Sequence, residues 1–440
     1  MPLVVYCGAH LGYDPRKVPI GGGAAVALAL IRRWNETQPF DLLVVGTGEE
    51  APAERVEYRR INAARGELLT DFSISKYARF SRAFELGVTE LLRELKHRVD
   101  SRKTVILHND IAEAGDFQRI AQMGFRQAAI FHVDVVDYVA QIYLRGRWSA
   151  PRLAQAWRKA ARLGLHKLMP DILRLMFGKQ EACARFAQLL IVPSTGMAEV
   201  LRRSYPWRKE EGIAVVPWGA LCEPAAPGVD EELEALRGRY PPKGRPVLLT
   251  LSRISPEKGQ DLLLRALKLW EKNGGDPLLL FVCGAPAYMH GASYLRKLQV
   301  LAKRLRHLEV HFLGHVSGAR KQALFDLADL YVFPSRHESY GLTMMEAMAA
   351  GLPILTTDHR SARDLVRPEW GLVVDPTPEA LHAGLVQLLS DRAKLKAMGM
   401  EAKRYASARP FSSSADLMAQ RLLGLAETPE VISAQAHCAR

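Results

Sequence analysis

Short apolar runs alternate with longer amphipathic segments along most of the chain. The runs are PLVVYC, FDLLVVG, KTVILH, QAAIFH, AQLLIVPS and GIAVVP in the first half, then PVLLTLS, PLLLFVCG, EVHFLG, LYVFPS, LPILTT and GLVVDP. Nearly continuous apolar runs are typical of strands that are buried on both faces of a parallel sheet. Helices between successive strands supply the crossovers that such a sheet needs. The pattern therefore predicts an α/β protein with two doubly wound parallel sheets.

A polar, turn-rich stretch interrupts the alternation near the middle of the chain. The segment CEPAAPGVDEE begins at Cys222, and YPPKGRP precedes the next strand. Pro and Gly clusters of this kind mark turns and linkers. A chain of 440 residues also exceeds what one ordinary hydrophobic core accommodates. We therefore expect a first domain over residues 1–221 and a second domain that begins at residue 222.

Residues 139–185 depart from the alternation of strands and helices. They contain ten Lys or Arg and only two acids, Asp171 and Glu181. The segment is predicted to be mostly helical, and it mixes basic with large apolar residues, among them Trp157, Leu163, Leu165 and Leu168. Two interpretations are open: a solvated helical insertion that packs its apolar face on its own domain, or a surface that lies on an anionic membrane. Basic amphipathic helices are common without membranes, which favours the first.

Charge and composition narrow the class of protein. The formal net charge is +13, and residues 1–220 carry 32 Lys/Arg against 23 Asp/Glu, a difference of +9. A basic first half suits an anionic partner, but no nucleic-acid motif accompanies it, so we expect no nucleic-acid partner. No apolar segment is long enough to span a membrane. The start MPLVVYCGAH lacks the features of a secretory signal. These features predict a cytoplasmic protein, with peripheral contact at the inner face of the membrane as the further alternative.

The five cysteines form no pattern that indicates chemistry. They are widely scattered and contain no C-x-x-C pair, so we expect buried free thiols rather than a metal site or a redox pair.

Two basic residues follow a predicted strand of the second half. Arg253 comes directly after PVLLTLS, and Lys258 lies five positions later, just before the helical run QDLLLRALKLW. Ligands of open α/β sheets bind at the carboxyl ends of strands, and helix N-termini favour anions. The arrangement therefore suits a diphosphate, although basic residues in such a loop are often merely exposed.

The segment PSRHESYGLTMMEAMAAG carries two carboxylates. Glu346 follows Glu338 by eight positions, and eight helical residues rise about 12 Å. Glycosidases hold their carboxylates roughly 5 to 9.5 Å apart, so this pair is better suited to binding hydroxyls on two parts of one ligand. Gly341 between them permits close backbone approach. The alternative is a pair of solvated glutamates on a surface helix.

These motifs resemble the donor domain of retaining glycosyltransferases of family 4. The resemblance covers most of residues 246–376 and rests on R-x4-K, E-x7-E and the following A-x-G-x-P. It implies the GT-B architecture, with two Rossmann-like domains facing a central cleft. It also implies that the donor domain ends near residue 409 and that residues 410–440 form a helix crossing back to the first domain. The implied reaction moves a sugar from a UDP- or GDP-sugar to a hydroxyl acceptor, in polysaccharide, glycolipid or glycoconjugate synthesis.

The resemblance also implies roles for individual residues. Arg253 and Lys258 would hold the donor diphosphate, Glu338 the transferred sugar and Glu346 the ribose. His108 would lie near the reacting sugar, as a catalytic residue together with Arg253, Lys258 and Glu338. Further donor contacts are expected at Gly21, Gly22, Gly23, Gly314, Val316, Ser335, Tyr340, Gly341, Leu342 and Thr343, and contacts on the acceptor side at His132 and Asp134.

The sequence contains no D-x-D pair, so we expect no metal requirement and no cofactor beyond the nucleotide sugar, because Arg253 and Lys258 can neutralise the diphosphate. Two alternatives to a transferase stay open. One is an epimerase or a phosphorylase with the same fold. The other is a degenerate binding protein whose basic first half holds an anionic glycan or a membrane surface.

Overall fold

Seven parallel strands form the first of two sheets. The structure is a computed structural model that describes residues 1–14, 21–63, 72, 74–221, 226–287 and 291–427. The strands are β1 (Leu3–Cys7), β2 (Asp41–Gly46), β3 (Glu57–Arg60), β4 (Thr104–His108), β5 (Arg126–Ile130), β6 (Leu189–Val192) and β7 (Ile213–Val215). Their spatial order is β3-β2-β1-β4-β5-β6-β7. The order reverses beside β1, so the carboxyl ends of β1 and β4 flank a topological switch point, where ligands of such sheets bind.

Six parallel strands form the second sheet. They are β8 (Val247–Leu251), β9 (Leu279–Cys283), β10 (Glu309–Gly314), β11 (Leu330–Phe333), β12 (Ile354–Thr357) and β13 (Gly371–Val374). Their order is β10-β9-β8-β11-β12-β13, with the switch point between β8 and β11. The loops that carry Lys258 and Glu338 follow these two neighbouring strands, which is why residues 80 positions apart can meet.

Helices cover both faces of each sheet. Those associated with the first half are α1 (Gly22–Thr37), α2 (Ile74–Leu95), α3 (Phe117–Gln122), α4 (Val135–Tyr138), α5 (Ala150–Arg162), α6 (Asp171–Phe186) and α7 (Thr195–Ser204). The remainder are α8 (Val229–Arg239), α9 (Gln260–Lys272), α10 (Gly291–Ala302), α11 (Gly318–Leu327), α12 (Leu342–Ala349), α13 (Ala362–Leu365), α14 (Pro378–Leu389), α15 (Arg392–Ser407) and α16 (Phe411–Glu427).

The predicted doubly wound α/β fold is confirmed. All twelve apolar runs contain strands, because each strand of a parallel sheet covered on both faces must be apolar on both sides. The strand β3 was not predicted. Its sequence EYRR is polar, since β3 lies at the exposed edge of the first sheet and pairs only with β2.

The last helix, α16, packs against the first domain. Arg33 on α1 forms two 2.9 Å hydrogen bonds with Asp416, and the Trp34 indole donates to the carbonyl of Ala415 at 3.0 Å. Near its end, the Leu425 carbonyl accepts a hydrogen bond from Arg126 at 2.6 Å. The chain therefore returns to the first sheet after completing the second. Residues 428–440 of the predicted crossing helix lie outside the described residues.

Residues 139–185 are largely helical, as expected. A short π-helical turn (Val139–Tyr143) leads to α5, and a 3-10 turn (Leu165–Leu168) leads to α6. Among the described residues, no helix has the length and apolarity needed to span a bilayer. The thiols of Cys7, Cys183 and Cys283 are buried and unpaired, whereas Cys222 and Cys438 lie outside the described residues.

Candidate active site

The centre of the candidate site is an ion pair between two loops of the second sheet. Lys258 ends a 3-10 turn after β8, and Glu338 lies between β11 and α12. The Lys258 ammonium donates a hydrogen bond to the Glu338 carboxylate. Only 11% of the lysine side chain and 16% of the glutamate side chain are exposed. Gly259 allows the two loops to approach each other this closely. Its φ of +65° favours glycine, and a Cβ added here would lie 1.9 Å from the Pro334 carbonyl oxygen, so no other residue fits.

The Glu338 carboxyl is held ionised. Burial alone would raise its pKa, but the charge and hydrogen bond of Lys258 outweigh burial and lower the pKa to about 2, with smaller contributions from His359 and Arg253. An ionised carboxylate cannot donate a proton at neutral pH. Glu338 is therefore suited to accepting hydrogen bonds from ligand hydroxyls.

Ser335 and Arg336 join the two loops. The Ser335 hydroxyl bonds to the carbonyls of Glu257 and His337 at 3.1 and 2.9 Å, and the serine is fully buried. Arg336 donates to both carboxylate oxygens of Asp261 at 2.8 and 3.1 Å. Because its side chain is enclosed and already bonded, Ser335 holds the loop, which favours a structural role over the predicted donor contact.

Glu346 lies on α12 beside a residue that the sequence did not single out. Lys321 on α11 donates to Glu346 at 3.1 Å, and both side chains are mostly buried. One turn earlier on α12, the hydroxyl of Thr343 receives a hydrogen bond from Tyr331 at 2.8 Å. Lys321 and Glu346 are 25 positions apart and lie on different helices. The sequence therefore gave no indication that they would pair.

The two domains meet where α1 and α12 begin. Gly341 precedes α12 with a φ of +93°, and the Tyr340 hydroxyl donates to the Trp218 carbonyl of the first half. A Cβ on Gly22 would lie 3.3 Å from the Leu342 side chain. The N-termini of α1 and α12 therefore face the same region from opposite domains, and helix N-termini favour anions.

The other glycines of the first loop have different surroundings. A Cβ on Gly23 would lie 2.9 Å from the His132 ring, whereas Gly21 borders open space. Residues 15–20, which precede these glycines and include part of the predicted loop, lie outside the described residues.

Gly314 and Val316 follow β10 at the same edge as Arg253. Gly284 donates to the Gly314 carbonyl at 2.6 Å, and a Cβ on Gly284 would lie 1.8 Å from the Ser252 carbonyl oxygen. Arg253 is exposed and Val316 is buried. Backbone groups at the carboxyl ends of three neighbouring strands thus lie close together beside Arg253.

Two predicted residues of the first domain do not face the cleft. His108 is 0% exposed, packs on Phe117 at 4.6 Å between ring centres, and lies 3.2 Å from the Gln127 amide oxygen. Burial lowers the pKa of His108 to about 4. Asp134 is buried and caps α4 by accepting a hydrogen bond from Asp137 N at 2.9 Å. Both side chains are enclosed in the core, which favours structural roles for them over the predicted catalytic role of His108 and the predicted acceptor role of Asp134.

His132, which is predicted on the acceptor side, borders the glycine segment at Gly23. It follows β5, is partly exposed, and its Nε2 lies 3.1 Å from the Asn109 amide oxygen. Tyr6 donates to the same oxygen at 2.7 Å, which fixes Asn109. Burial, assisted by the charge of His10, lowers the pKa of His132 to about 4, so the ring is neutral at pH 7.

A polar cluster beside His132 was missed from sequence. Glu113 accepts a 2.9 Å hydrogen bond from Tyr77, and one of its oxygens lies 3.2 Å from His10 Nε2. Burial opposes protonation of His10, but Glu113 and then Asp110 raise its pKa to about 8. Burial and the charge of Glu113 raise the pKa of Asp110 to about 6. The cluster lies at the carboxyl ends of β1 and β4. In the sequence, only Asp110, within the LHND segment, indicated that polar residues gather here.

Within the described ranges, no group of three or more His, Cys, Asp or Glu side chains is arranged to hold a metal ion. The arrangement offers two cations, the ionised Glu338, the carboxylate of Glu346 and two helix N-termini. Such a set can bind a diphosphate and several hydroxyls at once.

Comparison with known proteins places these observations in context. Residues 234–405 match the family model of glycosyl transferases group 1. The chain is 32% identical over 205 residues to a GDP-mannose-dependent alpha-(1-6)-phosphatidylinositol monomannoside mannosyltransferase of Mycolicibacterium smegmatis, covering 42% of this chain and 52% of that one. It is 30% identical over 256 residues to a D-inositol 3-phosphate glycosyltransferase of Corynebacterium urealyticum, covering 57% and 60%. The chain thus spans about half to three fifths of the length of these curated relatives.

Solved structures match over nearly the whole chain. Anabaena Alr3699/HepE in complex with UDP and glucose aligns with a TM-score of 0.65 at 16% identity, covering 96% of this chain and 99% of that one. WaaG, described as a glycosyltransferase involved in lipopolysaccharide biosynthesis, aligns with a TM-score of 0.64 at 19% identity, covering 96% and 100%. At these identities the likeness shows the fold alone, which is the predicted GT-B architecture.

Proposed function

We propose that the chain, whose residues 234–405 match the family model of glycosyl transferases group 1, transfers a sugar from a nucleotide diphosphate donor to a hydroxyl acceptor with retention of configuration. The observation that carries the proposal is the buried Lys258–Glu338 pair between the carboxyl ends of β8 and β11. A diphosphate-linked sugar requires both a cation and an ionised carboxylate, and this pair would supply them.

The proposed chemistry is electrostatic. As the sugar leaves, negative charge develops on the diphosphate, and Lys258 with Arg253 neutralises that charge. The N-termini of α1 and α12 add backbone N–H groups, and such preorganised groups act most strongly where water is excluded. Glu338, being ionised, holds sugar hydroxyls and does not protonate the leaving group. No metal ion is required in this scheme.

The donor we propose to test first is GDP-mannose. The relative from Mycolicibacterium smegmatis is named as GDP-mannose-dependent, whereas the HepE structure contains UDP, so UDP-sugars are the second candidate. Glu346 and Lys321 would hold the ribose, which both nucleotides share. The base would lie against the backbone near Gly314 and Val316.

On the acceptor side we propose His132 with the polar cluster of His10, Asp110 and Glu113. Neutral His132 lies next to the Gly23 end of the glycine segment, so it can contact the transferred sugar or the attacking hydroxyl. Two carboxylates and a charged imidazole can bind several hydroxyls of a polyol acceptor. We further propose a cytoplasmic reaction, with the acceptor as part of a glycolipid or polysaccharide.

The test compares donor binding and slow donor hydrolysis in matched variants. GDP-mannose at about a hundred times its Kd should stabilise the native protein by about 2.7 kcal/mol. Glu338→Gln and Lys258→Ala should each lower donor turnover about a hundredfold or more. The control is Glu309→Gln, which removes the same charge from an exposed ion pair with Arg245 at 2.7 Å in the same domain.

Three results would contradict the proposal. Normal turnover in both Glu338→Gln and Lys258→Ala would remove these residues from the reaction. Binding without turnover, for every GDP- and UDP-sugar and in the presence of polyol acceptors, would favour the degenerate binding protein. Conversion of the donor into another nucleotide sugar would assign the epimerase alternative.

A further inference from the structure

The helix α5 presents two different faces. Ala150, Ala154 and Trp157 point inward, and Trp157 packs on Phe177 with ring centres 5.6 Å apart. The opposite face is exposed, and Arg152, Lys159 and Arg162 follow one another along it at helical spacing. The helix α5 therefore packs on its own domain through its inner face only, whereas its outer face is exposed.

Large apolar side chains are exposed at both ends of this outer face. Of the thirteen exposed in the described part of the chain, six lie between residues 143 and 169, and the others are scattered. Trp148 precedes α5, and Leu163 and Leu168 follow it with 73% and 85% of their surface exposed. The remaining three are Tyr143, Leu165 and Met169. A cluster of this kind on one surface indicates an interaction partner.

The same surface carries only positive charge. Residues 138–170 contain no Asp or Glu. Six exposed cations lie on it, and none of them forms an ion pair with the residues that the structure describes: Arg145, Arg147, Arg152, Lys159, Arg162 and Lys167. Arg158 differs, since it turns inward to Glu181 and the Ser204 carbonyl.

We propose that residues 143–169, hereafter the basic apolar surface, dock the protein on an anionic lipid bilayer. Trp148 at one end and the leucines at the other lie about 22 Å apart along α5 at ~1.5 Å per residue, with cations between them. A bilayer accepts both: apolar side chains enter its interface while Lys and Arg contact lipid phosphates. A polyanion would use the cations and leave the apolar ends exposed to water.

The basic apolar surface lies close to the candidate active site. The Tyr143 ring is 6.1 Å from the Tyr138 ring, which is 5.5 Å from His337, the neighbour of Glu338. Three adjoining rings thus connect the surface with the cleft. Docking through this surface would bring the cleft towards lipid headgroups. The proposal concerns membrane contact and does not depend on the reaction that the cleft performs.

The experiment is flotation of the full-length protein with vesicles of 30% phosphatidylglycerol and 70% phosphatidylcholine, compared with vesicles of phosphatidylcholine alone. Wild type should float with the anionic vesicles. Arg152→Glu/Lys159→Glu should lower the bound fraction about tenfold or more, and Leu163→Ser/Leu168→Ser should lower it severalfold. The matched controls are Lys394→Glu/Lys396→Glu and Leu86→Ser/Met400→Ser, which change equally exposed residues elsewhere. Thermal unfolding checks that every variant is folded.

Three results would overturn the proposal. The first is wild-type protein that stays with the soluble fraction at low salt. The second is an equal loss of flotation in the control variants, because net charge or general hydrophobicity would then explain binding. The third is binding that tolerates Leu163→Ser/Leu168→Ser, requires the cations and is reproduced by RNA, since this pattern describes a polyanion surface.

Discussion

At position 338 a carboxylate is buried and yet ionised, and the reason lies in a single partner. Lys258 outweighs the cost of burial and lowers the pKa of Glu338 to about 2. The sequence singled out both residues but could not pair them, because contact depends on the adjacency of β8 and β11. For the two histidines, in contrast, the sequence did not show which one borders the candidate site. LHND and FHVD look equivalent as strand-end segments, and only packing decides that His108 is enclosed by Phe117 and Gln127 while His132 faces the glycine segment.

His10 provides a pH-dependent test of the acceptor cluster. Its folded pKa of about 8 lies above the ordinary value of 6.5, so the interaction with Glu113 stabilises the fold fully below pH 6.5 and is lost as pH rises through 8. After allowance for the exposed part of the ring, His10→Gln should lower the free energy of unfolding by about 1 kcal/mol more at pH 6 than at pH 9. Urea denaturation at both pH values measures the difference.

The control for this test is His307→Gln, whose imidazole is exposed in the second domain. It removes an exposed imidazole that forms no ion pair with the residues that the structure describes, so it measures the effect of losing a histidine ring alone. An equal loss of stability for His10→Gln at pH 6 and pH 9 would mean that the ion pair with Glu113 does not form in solution.

At the scale of elements, the apolar runs determined the strands, and glycine determined how the loops meet. The helix α9 shows this at both ends. Gly259 precedes it and Gly274 follows it, with φ of +65° and +76°. Only Gly259 is also crowded, because a Cβ there would lie 1.9 Å from the Pro334 carbonyl, whereas Gly274 has nothing within 4 Å. The pattern of apolar residues predicted α9 but did not indicate that Gly259 is crowded and Gly274 is not.

Gly259→Ala and Gly274→Ala form a matched pair. Both place a side chain in a left-handed conformation, at a cost of about 1 kcal/mol. Gly259→Ala must in addition move the loop that carries Lys258 away from Pro334, so we expect it to cost about 3 kcal/mol or more and to abolish donor-dependent stabilisation. Thermal unfolding with and without GDP-mannose gives both quantities. Equal effects of the two substitutions on donor binding would show that loop contact at Gly259 does not position Lys258.

At the scale of the molecule, one buried carboxylate ties the two domains together. Asp137 on α4 accepts two 2.8 Å hydrogen bonds from Arg360, and its carboxylate lies 3.4 Å from His337 Nε2. Thr195 and Asp364 form a second contact, with the Thr195 N–H donating at 2.6 Å. Burial would raise the pKa of Asp137, but the hydrogen bonds from Arg360 and the closeness of the His337 ring lower it well below its usual range. The stability from this contact is therefore present above pH 4 and is lost only in strong acid.

Asp137→Asn should weaken this closed arrangement. Loss of a buried charge partner costs about 3 kcal/mol, and we expect the domains to separate, with a larger radius of gyration in small-angle X-ray scattering at pH 7. Asp171→Asn is the control, because it removes the same charge from an exposed ion pair with Arg82 and Arg174. An unchanged radius of gyration and unchanged donor turnover in Asp137→Asn would exclude a role for this contact in closure.

The sequence by itself determined the α/β class, twelve of the strands in the described chain, and the two loops that carry Lys258 and Glu338. These features are local: strand burial is written in continuous apolar runs, and charged residues directly after a strand lie at its carboxyl end. Only the tertiary structure decided which residues meet. It enclosed His108 and Ser335, paired Lys321 with Glu346, and left the outer face of α5 exposed within the part of the chain that the structure describes. Such outcomes depend on strand order and packing between distant segments, which the spacing of residues along the chain does not encode.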